Sequence, residues 1–176
     1  MPTETLRPNA SGDSTQLTPV GDTPNYKCVD EAVSDGDATY VQSPVSDVNA
    51  HLDLYNIEDT AIPAGSTINS VTVYILCRSI SATYRAIFRP ALKKAGGTVQ
   101  YGNQANPSTT YTLYSAMFTG ISLSDLNSLQ IGVEISSGSD DIIYAGRCTQ
   151  VYAVIDYTPP SVAVKKPIMD GFVYVE

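Results

Sequence analysis

Tryptophan is absent from this sequence, histidine occurs once, and charged residues make up only 16% of it. Each shortage excludes something. Without tryptophan, any flat aromatic contact with a ligand falls to the tyrosines, of which there are 12. A single histidine, His51 in NAHLDLY, leaves little room for a hydrolytic triad. His51 and Asp53 share a strand face, as alternate residues do, but there is no GxSxG nucleophile elbow to accompany them. The three cysteines, Cys28, Cys77 and Cys148, lie far apart with no CxxC spacing, which excludes a zinc site of the usual kind. An odd number of cysteines gives no disulfide framework. Cys77 falls in an apolar strand, and a Cys28–Cys148 bridge is a pairing that sequence leaves open.

Positive charge is also scarce. The net charge is −8 and the pI about 4.4, which excludes the basic face that nucleic acid requires. The imbalance sits at the front: residues 1–60 hold eleven acids against two bases, whereas 61–176 hold seven against eight. Such a division favours attraction between neighbouring copies, although acids in turns are more often simply solvated. No run approaches the roughly 18 apolar residues of a membrane span, and MPTETLRPNASGD lacks the apolar core of a secretion signal. The expectation is a protein made and assembled in a cytoplasm, with no membrane partner.

What the sequence has in abundance is Val, Ile, Thr, Tyr and Ser in period-two patterns. INSVTVYILCRS (68–79) sets Val71, Val73, Ile75 and Cys77 against Thr72, Tyr74 and Leu76, with both faces fairly apolar, and reads as a central strand. ATYRAIFRPALKK (82–94) sets Tyr84, Ala86, Phe88 and Leu92 inward, with Pro90 at an edge or bulge. TYTLYSAMFTG (110–120), LQIGVEIS (129–136) and IIYAGRCTQVYAVIDYT (142–158) continue the series. SLSDLNS (122–128) is the one helix-like piece, with Ser122 or Ser124 as its cap. Many short strands, polar turns and almost no helix predict an all-β, antiparallel β-sandwich of jelly-roll type. The Pro-, Thr- and Ser-rich residues 1–25 read as an extended N-terminal arm with a short strand near Glu4–Arg7. Residues 26–160 read as the sandwich domain, and 161–176 as a strand-forming C-terminal extension. In that extension Phe172, Val173, Tyr174 and Val175 are too apolar for a free tail: they pack either as a final strand of the chain's own sheet or, by strand addition, as subunit contacts on a neighbouring copy.

Chemistry is harder to find. CVDEAVSDGDATYV (28–41) gathers Asp30, Glu31, Asp35 and Asp37 around Gly36, a weak candidate for a structural calcium. It misses the EF-hand pattern, since the sixth residue after the glycine is Gln42 rather than glutamate. The plainer reading is a chain reversal before a strand. Eighteen acids make some carboxylate pair at glycosidase spacing nearly inevitable, so such a pair carries no weight; Glu134, the acid within a strand, lies on its polar face. No catalytic residue and no cofactor is expected. Sugar binding would fall to exposed tyrosines, with Tyr101, Tyr111 and Tyr114 as candidates, against the more frequent use of strand tyrosines in packing.

ETLRPNASGD, CVDEAVSDGDATYV, IPAGSTINSVTVYILCR, SDLNSLQIGVE and RCTQVYAVIDYT together resemble a group of β-sandwich structural proteins of the virions of tailed viruses and proviruses. The resemblance covers about 26–158, and its motifs belong to the fold and name no active site. It implies a capsid decoration or auxiliary protein, or a tail or neck component, located in the virion and partnered by copies of itself and other virion proteins. Two other functions remain open at this point: a carbohydrate-binding adhesion module with a glycan partner, and a subunit of an extracellular filament.

Overall fold

The computed structural model describes residues 1–44, 49–136 and 146–161. Among these described residues eleven strands follow in chain order: β1 Thr3–Leu6, β2 Pro8–Thr15, β3 Thr18–Val20, β4 Tyr40–Gln42, β5 His51–Ile57, β6 Thr67–Ser79, β7 Ile87–Lys93, β8 Val99–Tyr101, β9 Thr112–Phe118, β10 Gln130–Ser136 and β11 Gly146–Thr158. One sheet runs β3-β4-β11-β6-β9, with β1 also on β11; the other runs β2-β5-β10-β7-β8. Every pairing is antiparallel. Taken alone, β4 to β11 give the orders β4-β11-β6-β9 and β5-β10-β7-β8, two four-stranded sheets in jelly-roll connection. The all-β sandwich read from the sequence is the fold of the protein.

Alternation drives the packing. In β6 the residues Val71, Val73, Ile75 and Cys77 are fully buried, and so are Cys148, Val151, Ala153 and Ile155 of β11. They face Tyr55 of β5, Ile131, Val133 and Ile135 of β10, and Phe88 and Leu92 of β7. Each large apolar side chain removed from water contributes roughly 1.5–3 kcal/mol, so these facing rows set the register of both sheets. Bulges adjust β11 against β6 between Cys148 and Gln150 and again between Asp156 and Tyr157. Pro90 lies in β7, where the ladder to β8 ends at Ala91. Phe88 and Pro90 turn their backbone to the same side: Phe88 exchanges bonds with Ala105, and the Pro90 carbonyl accepts from Gly102 N. The missing N–H of Pro90 therefore falls in a gap of the ladder, in agreement with the edge-or-bulge reading.

The helix-like piece is a single turn, α1 Leu123–Leu126, held by a capping box between Ser122 and Asp125. Tyr84, read as inward, is 36% exposed, because the chain enters β7 only at Ile87. A second correction concerns the N-terminus. Residues 1–25 do not extend as an arm. β1 pairs with β11 in one sheet, β2 with β5 in the other, and β3 with β4 back in the first.

A buried carboxylate explains that weave. Asp53 faces inward from β5 and is 0% exposed. Its Oδ1 accepts from Gln16 N at 2.6 Å and Leu17 N at 2.8 Å, and its Oδ2 accepts from Asn25 Nδ2 at 2.6 Å and Tyr55 OH at 3.0 Å. The β2–β3 turn and the 3-10 turn Asn25–Cys28 are thus fastened to the body through one side chain. Beside it β10 comes so close that a Cβ on Gly132 would lie 1.9 Å from the Asp53 carbonyl oxygen, which only glycine permits. We expect Asp53→Ala, which strands four donors, to cost about 3–5 kcal/mol of unfolding free energy. Asp53→Asn retains an acceptor for the two backbone amides and should cost less. Urea denaturation of both variants checks the order.

Candidate functional site

The acidic run at 30–37 folds against β6 and β11. Arg78 of β6 and Arg147 of β11 lie directly opposite one another, a like-charge pair that needs an anion between its members. Asp37 supplies it, accepting from Arg78 Nη2 at 2.7 Å and Arg147 Nη1 at 3.0 Å, while Tyr111 OH lies 2.9 Å from the same carboxylate. Burial raises the Asp37 pKa, but the contacts with Arg78, Tyr111 and Arg147 outweigh it, and the carboxyl falls below the ordinary aspartate value. Glu31 and Asp35 instead converge on the Thr39 hydroxyl, at 2.7 and 2.8 Å. Three of the four acids are therefore divided between an arginine pair and a threonine, and with Asp30 they do not form the cation site that the calcium reading expects. Among the described residues no group of three or more His, Cys, Asp or Glu is arranged to hold a metal ion.

The Thr39 contact has a consequence of its own. A hydroxyl has one proton, so the two carboxylates share a single donor. Burial, followed by the Thr39 contact acting the other way and then repulsion from Asp35 and Asp30, leaves the Glu31 carboxyl above its ordinary value. The second Glu31 oxygen is buried without a hydrogen-bond partner. Glu31 is thus the carboxyl of the two whose charged form the fold disfavours.

The remaining sequence candidates separate cleanly. The Asp53 carboxylate is engaged by the four donors named above, none of which is His51, so no catalytic dyad forms at β5. All three cysteines are free and buried, so the Cys28–Cys148 pairing is not made. Cys148 instead faces Cys77 across the β6–β11 ladder, and burial pushes the Cys148 thiol up to about 12. Phe172, Val173, Tyr174 and Val175 lie outside the described residues.

Of the three tyrosines considered for stacking, Tyr111 is fixed by Asp37 with Arg78 over its ring, and Tyr114 packs against the core. On the outer face of the same sheet Tyr74 and Tyr152 stack on each other at 4.9 Å, and Arg7 lies over the Tyr152 ring, so that pair is sealed by its own neighbours. Tyr101 differs: it is 40% exposed at the end of β8. It borders a groove of about 350 Å³ between β8 of one sheet and β9 of the other, strands that pair with β7 and β6 but not with each other. Gln100, Tyr101, Gly102 and Asn103 form one wall, and Ser115, Ala116, Met117 and Phe118 the other. The walls meet at the base, where a Cβ on Gly102 would lie 2.2 Å from that of Ala116. Larger residues at 102 would force the strands apart.

The groove is lined by amides, a hydroxyl, a phenol and apolar surface, with no formal charge. Residues 95–124, which include both walls, contain no Asp, Glu, Lys, Arg or His at all. Tyr101 was legible as a candidate; Gln100, Asn103 and Ser115 were missed. The signal that could have found them was that uncharged stretch in a chain of net charge −8.

No family model matches the chain, and no curated protein matches it. The solved structures that follow are distant likenesses. TmCBM61 in complex with β-1,4-galactotriose is 11% identical at a TM-score of 0.43, over 86% of this chain and 87% of that one. The CBM22-1 xylan-binding domain of Paenibacillus barcinonensis Xyn10C is 8% identical at 0.45, over 85% of each. The enzymatically active domain of bacteriophage CBA120 tailspike protein 4 is 13% identical at 0.43, over 86% of this chain but 19% of that one. These are likenesses of general sandwich shape and assign no ligand to this chain.

Because the Glu31 pKa is raised in the folded protein, its contribution to stability is fully present below the ordinary glutamate value and is lost as pH rises through the folded one. Glu31→Gln should remove that decline. Melting temperatures across the acidic to neutral range are expected to converge with wild type at low pH and to favour the variant at neutral pH.

Proposed function

We propose that this protein is a non-catalytic binding module that takes a glycan in the β8–β9 groove. The observation that carries the reading is the character of the groove: concave, uncharged, rich in amide and hydroxyl groups, and edged by one exposed aromatic ring. Sugars combine an apolar C–H face with a rim of hydroxyls. The first suits a tyrosine ring, and the second suits Gln100, Asn103 and Ser115, whose side chains can both donate and accept. The volume lies at the small end of the range for ligand sites, roughly 300–1,000 Å³, and the groove lies along the sandwich edge rather than in a closed cavity. Among the described residues no carboxylate lines the groove, which suits binding rather than cleavage.

A second reading, the virion subunit implied by the sequence resemblance, has one specific observation in its favour. Among the described residues β9 pairs only with β6, and it carries none of the usual edge protection: no charge, no proline and no bulge. Its outward Leu113 and Met117 are 48% and 69% exposed. Strand addition at that edge would assemble copies of this chain or join it to other virion proteins.

A glycan array followed by calorimetry separates the two. Saturable binding that Tyr101→Ala weakens by about tenfold or more supports the glycan module. A blank array, with a defined oligomer that Ser115→Lys disperses, supports assembly and sinks the glycan reading.

A further inference from the structure

Glu134 stands opposite Arg89 in the β10–β7 register, on the outer face of the second sheet. The residue is 7% exposed, and its carboxylate would be costly there alone. Arg89 answers it with Nε 2.7 Å from Oε1 and a second bond from Nη2 to the same oxygen. The guanidinium so fixed lies 4.4 Å from the centroid of the Tyr101 ring, on the next strand out. Tyr101 is in turn the Cα partner of Ala91, a small residue that leaves room for the stack. One face of the ring is therefore covered by a planar cation that cannot swing away, while the ring remains 40% exposed. Burial and then the Glu134 charge push the phenol above its ordinary value, so it stays neutral and able to donate.

The charges of this unit cancel, since Arg89 is committed to Glu134. Nothing else near the groove carries charge between residues 95 and 124, and the protein as a whole is at −8. A polyanionic glycan would find no spare Arg or Lys in the walls and a repulsive field around them. Resting on the glycan-binding reading, we propose that the β8–β9 groove selects uncharged glycans, and that Arg89 and Glu134 are positioning residues that fix the Tyr101 ring as its stacking surface.

The test uses the full chain in affinity electrophoresis and calorimetry. The probes are neutral polysaccharides (xylan, galactan and mixed-linkage β-glucan) and acidic ones (polygalacturonate and alginate), each at low and high salt. The expected result is binding to a neutral polymer whose affinity changes by less than about twofold with salt, because no counterions are released. Arg89→Lys preserves the charge and the contact with Glu134 but loses the planar stack. It should melt with wild type yet bind about three- to tenfold more weakly, the range of a lost cation–π contact. The double variant Arg89→Leu with Glu134→Leu avoids a stranded buried charge and should show the same loss on an intact fold. Preference for an acidic polymer, or affinity that falls steeply with salt, would overturn the selectivity. Wild-type affinity in Arg89→Lys would overturn the positioning role. Wild-type protein that binds none of the polymers removes the glycan reading itself, and this inference with it, before any variant is compared.

Discussion

The Asp53 carboxylate is the constraint on which the arrangement of this molecule turns. It is an anion inside an apolar sandwich, tolerable only because four donors converge on it. Two of those donors are backbone amides of the β2–β3 turn, and a third is Asn25 of the 3-10 turn. Satisfying the carboxylate therefore means folding residues 1–25 onto the body. Once they are there, β1 and β2 take opposite sheets, and the crossing residue Arg7 is held in its turn. Its guanidinium bonds the carbonyl of Glu31 and lies over the Tyr152 ring, and its amide donates to Glu58. Neither sheet keeps that stretch of edge bare.

The same device recurs at the surface. Four of the five arginines lie over tyrosine rings: Arg7 on Tyr152, Arg78 on Tyr111, Arg89 on Tyr101 and Arg147 on Tyr40. That is more than the usual frequency of roughly one such contact per 70–80 residues. A chain without tryptophan and with few cations has spent most of its guanidinium groups in pinning tyrosines. In three of these cases the stack closes a surface; around Tyr101 it leaves one open.

How far the sequence could be read follows from the range of the forces involved. Alternation of apolar residues is local, so Val71 to Cys77, Leu129 to Ile135 and Val151 to Ile155 announced their strands and their inward faces. The cap at Ser122 was equally local. What escaped was decided at long range. The Pro- and Ser-rich start looked like an arm because its strands are too polar to show alternation, and its anchor, Asp53, is 36 or more residues away from the amides it holds. The acidic run looked like a cation site because its natural counterions, Arg78 and Arg147, come from two other strands. Alternation puts Glu134 on the polar face of β10, but its partner Arg89 and the ring beyond it are joined only by sheet register. A groove between the edges of two sheets leaves no periodic trace in either strand.

Electrostatics decides what that groove is suited to hold. An acidic protein normally scatters its charges to remain soluble, yet residues 95–124 carry none. If the stretch were plain core, the absence of charge would need no explanation. Tyr101, Leu113 and Met117 are exposed, however, so the stretch forms surface. An uncharged surface could be made from apolar residues alone, as a dimer interface often is, but Gln100, Asn103 and Ser115 sit among them in a concave setting. Amides and hydroxyls facing a groove remain satisfied by water until a ligand of similar hydrogen-bonding density replaces that water. A neutral polyol meets that condition, and an apolar strand would leave those groups unpaired. The polarity of the walls, more than the shape of the sandwich, is what favours a sugar over a neighbouring subunit in this position.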